Sequence, residues 1–165
     1  MNQKLVKMML KYQDYKHLLC QTNNGKNFNL WGRSTIGKTY VIQQALLKDT
    51  SCEALYLALD YPFDIDSIFL AISMGFELYA SASWQQIVQS LSSGSNKLLV
   101  LDDFDRLHCS TDDLSSDLSK LKMLANLDNL SLLTVSRQPL HYFNFQSFAD
   151  LFEDFQMDES NTHVF

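Results

Sequence analysis

The sequence predicts an α/β protein: a mostly parallel sheet covered by helices on both faces. Three observations predict it. Short apolar runs alternate with segments whose apolar residues recur at helical spacing, the pattern of repeated strand–helix–strand units. A glycine-bearing loop, Gly32-Arg33-Ser34-Thr35-Ile36-Gly37-Lys38-Thr39, joins one apolar run to the next helical segment. A further apolar run, Leu98 to Leu101, ends in the acid pair Asp102 and Asp103. Ligand-binding groups in open parallel sheets collect beyond the carboxyl ends of the strands, where both the loop and the acids fall.

Taken in order, residues 1–26 carry five lysines against one aspartate, with Leu5, Met8, Met9, Tyr12, Leu18 and Leu19 at helical spacing. That combination predicts a basic amphipathic helix with a lysine-rich outer face, closed by a polar turn over 21–27. Residues 27–165 form the core domain. Phe28, Leu30 and Trp31 mark its first strand, and Val41, Ile42, Ala45 and Leu46 mark a helix running to about Lys48. Ala54–Leu59 is a short apolar run, expected to be a buried strand. A helix from Asp64 to Phe76 follows, with Asp64 or Asp66 at its start, and Ser83 is positioned to cap a second helix through Leu91. Lys97–Leu101 is the most strand-like run. Ser110 or Thr111 then caps a helix with apolar positions at Leu114, Leu118, Leu121 and Leu124. Leu130–Val135 is a strand, Phe145–Phe152 a helix, and a last short strand begins near Phe155.

Composition narrows the function classes. At 165 residues and 46% apolar, the chain fits one domain with a real core. Eleven Phe and seven Tyr against two Pro and five Gly argue for order. Cys20, Cys52 and Cys109 lack paired spacing, so neither a disulfide framework nor a zinc site is signalled. No apolar run is long enough to span a membrane and no leader pattern opens the chain, so a reducing cytoplasm is the expected location. The net charge of −6 hides an asymmetry, because the first 26 residues are basic and the remainder is strongly acidic. An acidic body is a poor general nucleic-acid surface; only the N-terminal lysines favour one.

The loop has the form G-x-x-x-x-G-K-[ST], and each position has a mechanical reason. Gly32 and Gly37 permit the turn that aims successive backbone N–H groups at a phosphate chain, with Arg33, Ser34, Thr35 and Ile36 between them. Lys38 reaches the β- and γ-phosphates, and the Thr39 hydroxyl holds Mg²⁺. The following helix points its positive dipole end at the same anion. ATP or ADP with Mg²⁺ is the expected ligand. Asp102, delivered rigidly by a buried strand, is the second candidate Mg²⁺ ligand, and Asp103 is the candidate to orient or deprotonate an attacking water.

With these residues in place, Asp102-Asp103-Phe104-Asp105-Arg106-Leu107 resembles the acidic stretch of AAA+ and STAND-type ATPases, the P-loop branch with an extra strand between its two nucleotide motifs. Leu132-Leu133-Thr134-Val135-Ser136-Arg137 is similar to their fourth-strand sensor segment, where Thr134, Ser136 or Arg137 can contact the γ-phosphate or the water. Phe148–Phe155 resembles the helix entering their fifth strand. The resemblance covers roughly residues 27–158 and implies a three-layer sandwich with a five-stranded sheet in the order 5-1-4-3-2, an order that spacing alone does not yield. The sequence also departs from that pattern. Thr35 stands where glycine is frequent, and Asp103 is one methylene shorter than the usual glutamate. Glu153 and Asp154 occupy the position of the arginine finger, no Arg or Lys follows Arg137, and a helical lid is not expected.

These features lead to an expected slow ATPase that acts as a nucleotide-gated interaction module. Its partner is a protein, either a second copy or a different chain that supplies the missing arginine. Two alternatives remain: a scaffold that binds nucleotide without hydrolysis, and an accessory ATPase of a DNA replication or transposition system. A small-molecule kinase fits less well, since such enzymes use an arginine-rich lid and this chain has three arginines.

Overall fold

The computed structural model describes residues 26–48, 52–59, 64–78, 83–107, 114–143 and 146–157. The expected basic N-terminal helix and the Ser110 or Thr111 cap lie outside them. Five strands, β1 (Asn27–Trp31), β2 (Glu53–Ala58), β3 (Lys97–Asp102), β4 (Leu130–Ser136) and β5 (Phe152–Gln156), form one sheet ordered β2-β3-β4-β1-β5. Every pairing is parallel. This is the 5-1-4-3-2 order that the family resemblance implies.

Helices α1 (Lys38–Lys48), α2 (Ile65–Gly75), α3 (Trp84–Leu91), α4 (Leu114–Ala125) and the short α5 (Gln146–Ala149) complete the described elements, with one-turn 3₁₀ segments at Phe104–Arg106 and Leu140–Phe143. Local chemistry starts the helices where the sequence predicts. The Asp64 carboxylate accepts the Ser67 N–H at 2.7 Å, so Asp64, not Asp66, is the α2 cap. Ser83 and Gln86 form a reciprocal capping box at α3.

Strand alternation splits the core into two layers. Leu99, Leu101, Leu130 and Leu132 pack with α2, α3 and α4, while Leu98, Val100, Leu133, Val135, Phe28 and Leu30 pack with Ile42 and Ala45 of α1. β3 and β4 lie inside the sheet and are buried almost throughout, and each fully buried leucine there contributes about 1.5–3 kcal/mol.

Two expectations are corrected. The apolar run at 54–59 is not a buried strand but the edge strand: Glu53 and Ala54 are exposed, and Leu55 to Ala58 are half-buried. Its apolar residues serve both faces, Leu55 and Leu57 against one layer and Tyr56 against the other. At the opposite edge, the expected helix over 145–152 is helical at Gln146–Ala149, and the last strand starts at Phe152 rather than near Phe155. In-register pairing with β1, from Asn27 opposite Phe152 to Trp31 opposite Gln156, draws those residues into the sheet.

Candidate functional site

Because all strands run the same way, the ends of β1, β3 and β4 open on one edge of the sheet. β1 runs directly into the Gly32–Thr39 loop, and the turn is possible only with glycine at its ends. A Cβ on Gly32 would lie 2.3 Å from the Met157 carbonyl oxygen at the end of β5. Gly37 has a φ of 90°, which other residues rarely adopt. Between them Arg33, Ser34 and Thr35 are exposed, whereas Ile36 is buried in the α1-side core and anchors the loop from below.

Lys38 and Thr39 open α1 and point to the centre of this edge. The Lys38 ammonium is buried and donates to the carbonyls of Gly32 at 2.6 Å and Arg33 at 2.8 Å. Burial pushes its pKa below the ordinary lysine value, against the opposing pull of Asp102, Asp105 and Asp103. The Thr39 hydroxyl donates to Asp102 Oδ2 at 2.6 Å. Asp102 ends β3 with 3% of its surface exposed, and its other oxygen accepts the Asp103 N–H at 2.8 Å. Loop and acid strand thus meet through side chains.

A hydroxyl and a carboxylate are the hard oxygen donors that Mg²⁺ takes, usually one or two from protein with the remainder from phosphate and water. Among the described residues, no group of three or more His, Cys, Asp or Glu side chains is arranged to hold a metal without such help. The donor set fits a cation that arrives with a phosphate chain.

The other predicted residues divide. Asp103 adopts a left-handed conformation, φ 56°, and its carboxylate lies 3.8 Å from the Arg106 guanidinium. Arg137 is ion-paired with Asp105 and influences the charge on Lys38, so it belongs to the same cluster. Ser136 does not. Its hydroxyl lies on the face away from α1, 2.7 Å from the Gln138 carbonyl and 3.0 Å from Asn29 Oδ1. The Thr134 hydroxyl donates to the same Asn29 oxygen at 2.9 Å. Of the three sensor candidates, Arg137 pairs with an acid of the stretch that follows β3, while Ser136 ends β4 beside the loop, its carbonyl accepting the Gly32 N–H at 3.2 Å.

Two participants escaped the sequence reading. Tyr56 on β2 donates its hydroxyl to Asp102 Oδ2 at 2.6 Å. Burial, followed by the hydrogen bond and charge of Asp102, pushes its pKa up. The signal available was a tyrosine within an apolar strand, whose hydroxyl requires a partner when covered. Asn29 links three strands, receiving the β4 hydroxyls and donating to Asp154 on β5 at 2.7 Å.

No protein-family model matches the chain, and no curated protein matches it in sequence. Solved structures do. The chain is similar to one in the Drosophila ORC bound to AT-rich DNA and Cdc6, with 16% identity and a TM-score of 0.68 over 98% of this chain and 58% of that one. It is similar to the Aeropyrum pernix Orc1 protein in complex with DNA, with 16% identity and a TM-score of 0.67 over 91% and 44% of the two chains. Cdc6p from Pyrobaculum aerophilum gives 18% identity and a TM-score of 0.62 over 89% and 44%. The chain therefore spans about half the length of these structures. At such identities the likeness is one of fold alone: the five-stranded, all-parallel sheet matches the AAA+ P-loop NTPase fold of these neighbours.

Proposed function

We propose that this chain binds ATP with Mg²⁺ on the Gly32–Thr39 loop, hydrolyses it slowly, and uses the bound form to engage a protein partner in the cytoplasm. The observation that carries the reading is the contact of Thr39 with Asp102, which joins the phosphate loop to the acid strand at 2.6 Å. Mg²⁺ at that contact would neutralise phosphate charge. Lys38 exchanges its carbonyl partners for β- and γ-phosphate oxygens. Asp103 orients the attacking water and accepts its proton, and Arg137 leaves Asp105 to contact the γ-phosphate.

The charges around the site support slow turnover. Arg106 and Arg137 are held by Asp103 and Asp105, and the finger position carries Glu153 and Asp154. An arginine supplied in trans contributes about 10³–10⁵ in rate in comparable GTPases, and a partner chain or second copy is the proposed source. A phosphate-release assay with and without cell extract tests this. Slow release that the extract accelerates supports the gated ATPase, and no release in either condition favours a non-hydrolysing scaffold.

The fold likeness to ORC and Orc1 chains solved with DNA favours a second reading, an accessory role on DNA through the N-terminal lysines. DNA affinity that falls steeply with salt supports it, since each phosphate contact adds to the salt dependence.

A further inference from the structure

Tyr56 reaches the site from the edge of the sheet. In the β2–β3 register, Ala58 lies beside Asp102 and Tyr56 beside Val100. Tyr56 therefore shares the α1 face with both, and its ring packs against the core formed there by Leu98, Val100 and Ile42. That packing sets where the hydroxyl can go, because a tyrosine side chain has only two soft torsions. The hydroxyl lies 2.6 Å from Asp102 Oδ2, the same oxygen that accepts Thr39 at 2.6 Å. Gln43, one turn beyond Thr39 on α1, acts on the same hydroxyl and partly offsets the upward push on its pKa. One phenol thus ties α1, β2 and β3 together at the acid.

The consequence lies in how a buried carboxylate is held. Asp102 has a torsion that would allow either oxygen to face Thr39. Three donors remove that freedom: the Asp103 N–H on Oδ1, with Thr39 and Tyr56 on Oδ2. Thr39 can keep its hydrogen on Oδ2 while a lone pair of the same hydroxyl faces a cation. If Tyr56 withdrew, Oδ2 would depend on Thr39 alone, and the carboxylate could rotate away when Thr39 turned toward a metal.

We propose that Tyr56 is a positioning residue for Mg²⁺: its hydroxyl locks the Asp102 carboxylate in the orientation that Thr39 and the cation require. The inference rests on the reading of Thr39 and Asp102 as the Mg²⁺ side of the site. Donors behind a metal-ligating carboxylate typically change metal affinity about 10–100-fold when removed.

The test is calorimetric binding of a non-hydrolysable ATP analogue to the full chain, in EDTA and across a Mg²⁺ titration, for wild type and Tyr56→Phe. The variant retains the ring, so the packing on Val100 and Ile42 survives. Tyr56→Phe should match wild type in EDTA, which also reports an intact fold, and should require about tenfold more Mg²⁺ to reach half of the metal-promoted gain. A role in packing alone would leave the Mg²⁺ dependence unchanged. Identical Mg²⁺ titrations in a wild type that does respond to the metal would overturn the role of Tyr56 while leaving the site standing. A wild type that binds the analogue with no Mg²⁺ response would overturn the Thr39–Asp102 reading, and this inference with it.

Discussion

Arg137, the residue after β4, forms an ion pair with Asp105, whose side chain is 1% exposed while that of Arg137 is 58% exposed. The acid is buried, and the guanidinium that pairs with it lies largely in solvent. Asp105 Oδ1 has no hydrogen-bond partner among the described residues, so the acid holds Arg137 through one oxygen only. An anionic ligand that draws on Arg137, as proposed above, would compete with Asp105 for a single guanidinium.

Removing the guanidinium should therefore affect the γ-phosphate selectively. Arg137→Ala is expected to weaken binding of a non-hydrolysable ATP analogue by roughly tenfold or more, the worth of one charge-assisted hydrogen bond, while ADP affinity holds. Asp105→Asn should shift analogue affinity the other way, because the competing charge is gone. Equal analogue affinity in wild type and Arg137→Ala would remove Arg137 from the site.

The proposed function gives the adjacent acids separable roles. Asp102→Ala should lose the Mg²⁺-dependent part of binding. Asp103→Asn should keep ATP and lose hydrolysis, and asparagine tolerates the left-handed backbone at 103. Single-turnover phosphate release alongside binding checks both, and a matched loss of binding in the two variants contradicts the division.

Asn29 predicts a stability effect away from the chemistry. It is fully buried, accepts from Thr134 and Ser136, and donates to Asp154. Asn29→Ala deprives the buried Thr134 hydroxyl of its nearest acceptor and Asp154 of its donor, while Ser136 keeps the Gln138 carbonyl, and should cost about 1–3 kcal/mol in urea unfolding. A change below about 0.5 kcal/mol would mean that other groups satisfy them.

The state of Lys38 adds a pH dependence. Burial favours its neutral form, while bound phosphate favours the ammonium, so binding takes up a proton once pH exceeds the free-state pKa. Analogue affinity should be flat near neutral pH and then fall as pH rises, beginning below the ordinary lysine value. The limiting slope is about tenfold per pH unit. Affinity that stays flat up to the titration range of an exposed lysine contradicts this.

How much of this was legible in the sequence depended on whether the cause was local. The Ser83 cap, the loop and the acid-ended strand were readable, because each is written in neighbouring residues. The placement of β2 at the edge was not, since apolarity reports burial on two faces but says nothing about how many strands lie alongside. The start of β5 at Phe152 arises from pairing with β1, more than a hundred positions earlier. For the same reason Tyr56 was invisible as a partner of Asp102, 46 residues away. Ser136 was a fair sensor candidate by position, but strand alternation turns its hydroxyl to the other face, toward Asn29.

Nucleotide binding by Lys38 and its loop is the premise of every other role proposed for the site. Calorimetric titration of the wild-type chain with an ATP analogue and Mg²⁺, beside Lys38→Ala, measures it. Saturable binding to wild type, with affinity at least tenfold weaker in a folded Lys38→Ala variant, is the predicted result, since lost hydrogen bonds to charged phosphate are worth about 1.5–3 kcal/mol each. Undetectable binding to wild type, or equal binding to both proteins, would contradict it.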